Sequence, residues 1–305
     1  MDFKLENSIN QHLALPKKFG VELFIKREDQ IHPFVSGNKY RKLKYNLQEA
    51  EKEGFKTLLT FGGAFSNHIA AVASAGKELG FNTIGIIRGD ELEDKINENS
   101  TLQFAHQNSM RFKFVSRDVY RNKTSKDFLS GLKEEFGNFY LIPEGGTNAL
   151  AIKGCEEILT LEDKQFDYVC CAVGTGGTIS GIINCSKPSQ QVLGFPALKG
   201  DFLRQDISKF VTKSSWKLIT DYHFGGYAKT NEDLVSFINQ FKADYKVSLD
   251  PIYTGKMLFG IFDMVKQGYF PKGSKILAIH TGGLQGIEGM NALLKKKNLP
   301  IIITN

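Results

Sequence analysis

Four segments place reactive or anion-binding side chains where packing alone does not ask for them. In S-G-N-K-Y-R-K-L-K-Y, residues 36–45, Ser36 is expected to cap a helix whose apolar face is Tyr40, Leu43 and Leu47. Lys39 then falls in the first turn, where the helix dipole disfavours a cation. An amine so placed suits attack on a carbonyl. Taken alone, the segment reads as a helix with several surface lysines.

The second segment is V-G-T-G-G-T-I-S-G, residues 173–181, directly after the apolar run Y-V-C-C-A-V. Glycines let backbone amides converge on an anion, and the helix that follows adds its free N–H groups. A dinucleotide would need an acidic residue at the end of the next strand. That strand, Q-V-L-G-F-P-A, ends in Pro196 and Ala197, and no Walker lysine follows the glycines. A phosphate of mononucleotide size or smaller fits better.

In the third segment, F-G-G-A-F-S-N-H (61–68), Ser66 and Asn67 project from a helix start beside amides suited to a carboxylate. Ser66 reads equally as an ordinary N-cap. His68 has no ligand-spaced partner among six dispersed histidines and reads as structural, and no metal site is expected. The fourth group, G-G-Y-A-K (225–229), D-P-I-Y-T-G-K (250–256) and H-T-G-G-L (280–284), sets Tyr227 and Tyr253 near glycines and Thr281 at a strand end. Either tyrosine could also be a packed aromatic with one satisfied hydroxyl.

The elements that must position these residues are short. Apolar runs at 58–61, 83–87, 111–115, 139–142, 168–173, 192–195, 216–220 and 275–279 alternate with helical patterns, among them 67–79, 97–109, 124–136 and one starting near Asn148. This is the pattern of buried parallel strands joined by crossover helices. Such α/β sheets take ligands at the carboxyl ends of their strands. The length of 305 residues suggests two lobes at ~150 residues per domain, though composition marks no boundary.

The chain is 24% charged and carries a net charge of +6. Its one dense basic run, Lys295–Lys297, reads as a solvated helix end, not as a nucleic-acid patch. Cys155, Cys170, Cys171 and Cys185 form no CxxC pair, and Cys170 and Cys171 should point to opposite faces of one strand. They read as buried thiols of a reducing compartment. No apolar stretch reaches the ~20 residues of a membrane span, and no signal-type N-terminus is seen, so a cytoplasmic protein is expected.

Taken in order, I-K-R-E-D-Q (25–30), S-G-N-K-Y-R-K-L (36–43), F-S-N-H (65–68), P-E-G-G-T-N (143–148), V-G-T-G-G-T (173–178), D-P-I-Y-T-G-K (250–256) and H-T-G-G (280–283) resemble one family. It is that of 1-aminocyclopropane-1-carboxylate deaminase and D-cysteine desulfhydrase, pyridoxal-phosphate enzymes of the tryptophan-synthase-β-like fold. The resemblance runs from about Leu15 to Leu294. It implies two open, mostly parallel twisted sheets with helices on both faces. It also implies a homodimer, with a smaller domain over 47–148 inserted in a larger one of 1–46 and 149–305.

By position, Lys39 resembles the Schiff-base lysine. Asn67 would contact the 3-hydroxyl of pyridoxal 5'-phosphate, the amides of Gly174, Thr175, Gly176, Gly177 and Thr178 its phosphate, and Thr281 its pyridine nitrogen. Ser66 matches a catalytic serine beside the substrate carboxylate, a nucleophile or base in the deaminase, with Asn67 and His68 in the same substrate-binding turn; Tyr253 and Tyr227 match catalytic tyrosines. A hydroxyl such as that of Thr281 cannot keep the pyridine nitrogen protonated as a carboxylate would, which favours loss of a β-leaving group.

Two positions depart from the pattern. Thr254 stands where the deaminases carry glutamate after the tyrosine, and Phe65 where glutamine often precedes Ser-Asn. Thr254 makes the expected activity that of a D-cysteine desulfhydrase, acting on a small amino acid and giving pyruvate, ammonia and sulfide, while Phe65 removes a polar contact near the carboxylate site. The alternative is ring-opening deamination of 1-aminocyclopropane-1-carboxylate. A more distant rival takes Ser36–Lys39 as the S-x-x-K of a serine acyltransferase with H-T-G at 280–282.

Overall fold

The structure is a computed structural model and describes residues 3–200 and 202–304. Its strands are β1 (Asn10–Leu13), β2 (Glu22–Lys26), β3 (Thr57–Gly63), β4 (Asn82–Arg88), β5 (Met110–Val115), β6 (Tyr140–Ile142), β7 (Tyr168–Val173), β8 (Gln191–Pro196), β9 (Trp216–Leu218) and β10 (Lys275–Ile279). The helices begin with α1 (Asn38–Lys52), α2 (Asn67–Leu79), α3 (Ser100–Gln107), α4 (Arg117–Arg121), α5 (Lys126–Phe136) and α6 (Ala149–Cys155). They end with α7 (Gly177–Cys185), α8 (Phe202–Ser208), α9 (Glu232–Tyr245), α10 (Thr254–Lys266) and α11 (Gly286–Lys296).

Two sheets form, in the orders β1-β2-β10-β7-β8-β9 and β5-β4-β3-β6. Every pairing is parallel except β1 with β2. All eight expected strands are present, and α2 spans the expected 67–79. The hairpin partners β1 and β2 are additions. Their sequence gives little warning, because β2 ends in Lys26, a residue seldom buried without a partner. Here Asp163, remote in sequence, neutralises its buried ammonium at 2.9 Å.

Alternation on the strands accounts for helices on both faces of each sheet. Cys170 faces a core with Leu234, Ile238, Met257 and Ile261 of α9 and α10, while Cys171 faces Ile179, Ile182 and Ile183 of α7. On β3, Leu58 packs with Leu43, Ile69 and Val72 of α1 and α2, whereas Leu59 and Phe61 pack with Tyr120 and Leu132. Each such buried side chain is worth about 1.5–3 kcal/mol.

Candidate active site

In both sheets the carboxyl ends of the parallel strands open onto one cavity of about 360 Å³. The larger sheet contributes the turns after β7 and β10, and the smaller sheet those after β3, β4 and β6. Lys39, Ser66, Asn67, His68, Gly174, Thr175, Gly176, Thr178, Tyr227, Tyr253 and Thr281 all line it. Gly177 stands just behind the wall, where a Cβ would meet Thr147 Oγ1 at 2.8 Å and Lys42 Cε at 3.2 Å.

Lys39 is carried by the first turn of α1, but Ser36 does not cap that helix. The cap is Gly37, in the left-handed region at φ 58°. A Cβ there would lie 2.1 Å from the Thr281 carbonyl oxygen, so the turn after β10 leaves room for glycine alone. Asn38 N donates to that same Thr281 oxygen at 3.3 Å. Below it, Arg41 makes a buried bidentate pair with Glu28, two bonds of 2.8 Å, which fixes the rotation of α1.

Two of the four lysines of this helix, Lys39 and Lys42, face the cavity in different states. Desolvation first, then the charge of Lys42, lowers the Lys39 ammonium to about 7. No described residue accepts a hydrogen bond from its Nζ. Lys42 Nζ instead donates to Gly145 O at 2.8 Å, Thr147 Oγ1 at 3.0 Å and Thr175 Oγ1 at 3.4 Å. It buttresses the glycine loop from behind, a role missed at the sequence level because nothing local distinguishes it from Lys39.

The loop itself enters α7 through Gly176, at φ 84°, a left-handed turn of the kind that forms anion-binding nests. Asn38 Nδ2 donates to Thr178 Oγ1 at 2.8 Å, joining the lysine turn to the anion turn. On the opposite wall Ser66 caps α2 as expected, accepting from Ile69 N at 3.4 Å. Asn67 Oδ1 is buried without a partner. His68 is 2% exposed, with its Nε2 2.9 Å from Thr60 Oγ1. The Thr60 hydroxyl also reaches Ile142 O at 2.9 Å, and the imidazole bonds to the Pro143 backbone at the end of β6. Burial, then the Lys39 and Lys42 charges, hold this imidazole well below its usual range, and it is neutral.

Tyr253 and Tyr227 meet edge to face, ring centroids 6.2 Å apart. Burial foremost raises both phenols, which stay protonated at neutral pH. Tyr253 is set by Asp250, a buried carboxylate that accepts from Ile252 N, Tyr253 N and Thr254 N at 2.7–2.9 Å and from Thr254 Oγ1 at 2.6 Å. Sequence reasoning also passed over Arg88 and Glu144, which reach the cavity from the ends of β4 and β6. Their positions at strand ends were the available signal.

The donor set fits pyridoxal phosphate. An amide loop backed by Lys42 suits its phosphate, an unpartnered amide oxygen and a lysine free of hydrogen bonds face the same space, and no described cluster of His, Cys, Asp and Glu competes as a metal site. A family model described as pyridoxal-phosphate dependent enzyme matches residues 7–282, and the chain belongs to that family. The architecture is that of its tryptophan-synthase-β-like members.

More particularly, the chain is 30% identical over 295 residues to the bifunctional D-cysteine desulfhydrase/1-aminocyclopropane-1-carboxylate deaminase, mitochondrial, of Arabidopsis thaliana, covering 88% of this chain and 74% of that one. It is 28% identical to the D-cysteine desulfhydrase of Klebsiella pneumoniae, with 88% and 89% covered. The solved structure of an ACC deaminase homologue matches with a TM-score of 0.79 at 26% identity, over 94% of each chain. These similarities leave no place for the serine acyltransferase reading of Ser36. The protein is a pyridoxal-phosphate-dependent enzyme of the deaminase and desulfhydrase group.

Proposed function

We propose that the protein eliminates sulfide from D-cysteine, and that Lys39, Ser66, Tyr253 and Tyr227 carry the reaction. The observation that carries this choice over ring opening is the state of Thr254. It is fully buried, and its hydroxyl donates to Asp250 at 2.6 Å and accepts from Asp250 N at 3.1 Å. The position offers neither a carboxylate nor a spare hydroxyl to a substrate, and a glutamate there would press a second buried negative charge on Asp250.

When bound, the cofactor supplies an acceptor for the electron pair left at the substrate's α-carbon. Lys39 would hold it and afterwards take the α-proton at Nζ, a task suited to an amine lowered to about 7. Gly174 to Thr178 would hold the phosphate, Asn67 the 3-hydroxyl and Thr281 the ring nitrogen. Ser66 Oγ accepts only the long bond from Ile69 N, so its proton is available to the substrate carboxylate, beside the free amides of the α2 N-terminus. His68, neutral, would complete that turn. Tyr253 and Tyr227, protonated, would give a proton to the departing sulfur. D-cysteine and one water then leave as pyruvate, ammonia and hydrogen sulfide.

Phe65, 40% exposed at the mouth, lies against Gly289 of α11 and makes that side of the cavity apolar. This supports a short, uncharged side chain on the substrate. The same reading takes 47–148 as an inserted lobe, supported by the four-stranded sheet within it, and the protein as a cytoplasmic homodimer. No described helix is long and apolar enough to cross a membrane. Purified protein given D-cysteine should release equal amounts of sulfide and pyruvate. Ammonia from 1-aminocyclopropane-1-carboxylate, with no sulfide from D-cysteine, would overturn the choice.

A further inference from the structure

Lys256 is among the largest fully buried side chains, only 2% exposed, and it touches no described carboxylate within ion-pair distance. A buried ammonium with no carboxylate in contact, helped only by the more distant charge of Asp250, is costly, and a methionine of similar volume would fill the space without that cost. Its Nζ donates instead to two carbonyls, His223 O at 2.9 Å and Gly226 O at 2.8 Å. Those two carbonyls bracket a tight turn, closed by Gly226 N on His223 O at 3.0 Å and by Gly225 N on His223 Nδ1 at 2.9 Å.

The turn is not one the chain adopts freely. Phe224 and Ala228, both at φ 54°, sit in the left-handed region on either side of Gly225 and Gly226. Non-glycine residues there are strained and persist only where the surroundings hold them. Tyr227 lies inside this stretch and is 40% exposed, with its ring edge to face with Tyr253. Tyr253 immediately precedes α10, and Lys256 is in the first turn of that helix. One rigid element, fixed at its start by Asp250, therefore governs both phenols.

We propose that Lys256 is a positioning residue that clamps the 223–226 turn onto α10 and thereby presents Tyr227 to the substrate opposite Tyr253. The proposal rests on the assignment of Tyr227 to the substrate side made above. It accounts for the one lysine of D-P-I-Y-T-G-K that reaches neither the cavity nor solvent.

The test uses the pyridoxal-phosphate-loaded protein and the variants Lys256→Met, Lys256→Arg, Tyr227→Phe and the double variant Lys256→Met/Tyr227→Phe. Amide exchange across 223–229 should rise about tenfold in Lys256→Met while the amides of β7 and β10 keep their protection, and Lys256→Arg should restore most of it. The kcat/KM for D-cysteine should fall by about 10- to 100-fold in Lys256→Met. The double variant should be no worse than Tyr227→Phe, because the clamp acts through that phenol.

Unchanged exchange at 223–229, or a double variant that loses the product of the two single effects, would overturn the clamp. Full activity in Tyr227→Phe with a loosened turn in Lys256→Met would instead remove Tyr227 from the reaction and leave the clamp standing. Should Lys256→Met not fold, Lys256→Gln, which can still donate to one carbonyl, carries the same exchange and activity measurements.

Discussion

The two walls of the cavity are finished to different degrees. On the wall built by the larger sheet and its helices, the charged groups other than Lys39 are tied off within the protein. Lys42 has three acceptors, Asp250 four donors and Lys256 two carbonyls. On the wall built by the smaller sheet, the first turn of α2 leaves Asn67 Oδ1 buried with no partner. Buried polar atoms without partners are rare and costly, so natural chains keep them where something else completes the bond. One wall is thus a rigid support that is satisfied alone, and the other is complementary to what binds.

The sharpest way to break this contrast is at Lys39, the exception on the supporting wall. Lys39→Ala should lower turnover of D-cysteine by ~10²–10⁴-fold through loss of proton transfer alone. Borohydride treatment should then fail to fix the cofactor, whereas in the parent protein peptide mapping finds it on Lys39. Lys42→Met should keep that covalent link and weaken cofactor retention, by about 1.5–3 kcal/mol for one charge-assisted contact. If Lys42 carried the adduct, the assignment of the two lysines would be reversed.

Asp250→Ala tests the supporting wall as structure. It strands three backbone amides and the Thr254 hydroxyl. We expect a loss of about 3 kcal/mol in denaturant unfolding, with cofactor or without it. Asn67→Ala tests the other wall and should separate the two forms. Its amide makes only the long Nδ2 bond to Gly283 O at 3.5 Å, so removal costs the cofactor-free protein little, while the loaded protein should lose about 1 kcal/mol of cofactor affinity. Equal destabilisation of both forms would show that Asn67 belongs to the scaffold.

These contrasts were unequally legible in the sequence. The βα alternation from Leu58 onward, Ser66 as a cap and the opposed Cys170 and Cys171 follow from periodicities of 2 and 3.6, which are local. The segments that line the cavity were visible as polar, glycine-rich strand ends. What the sequence hid depends on distant partners. Lys26 at the end of β2 needs Asp163, the cap at Gly37 needs the Thr281 carbonyl, and the different states of Lys39 and Lys42 need the 145–147 loop. A capping serine at 36 is what local preference suggests; the close approach of the turn after β10 overrides it.

The last contrast concerns proton uptake on unfolding. Burial lowers Lys39 to about 7 and Lys256 to about 8, against 10.5 for free lysine. Between those values and 10.5 the unfolded chain holds protons that the native protein does not, so native stability rises with pH through that window. The thiols oppose this at higher pH. All four thiols are raised by burial, Cys155 and Cys185 to about 11 from 9.0, so above pH 9 the unfolded thiols lose protons that the native ones keep, and stability falls. The cofactor-free protein should therefore melt at rising temperature from pH 7 to about pH 8.5 and at falling temperature beyond pH 9. The rise is comparable to the ~1.4 kcal/mol per pH unit that one fully displaced proton gives. Loading the protein with pyridoxal phosphate engages Lys39 and should flatten the rise, leaving the shares from Lys256 and from Lys42, which burial also lowers. An equal slope in both forms, measured by calorimetry at matched ionic strength, would mean that Lys39 is not the amine the cofactor takes up.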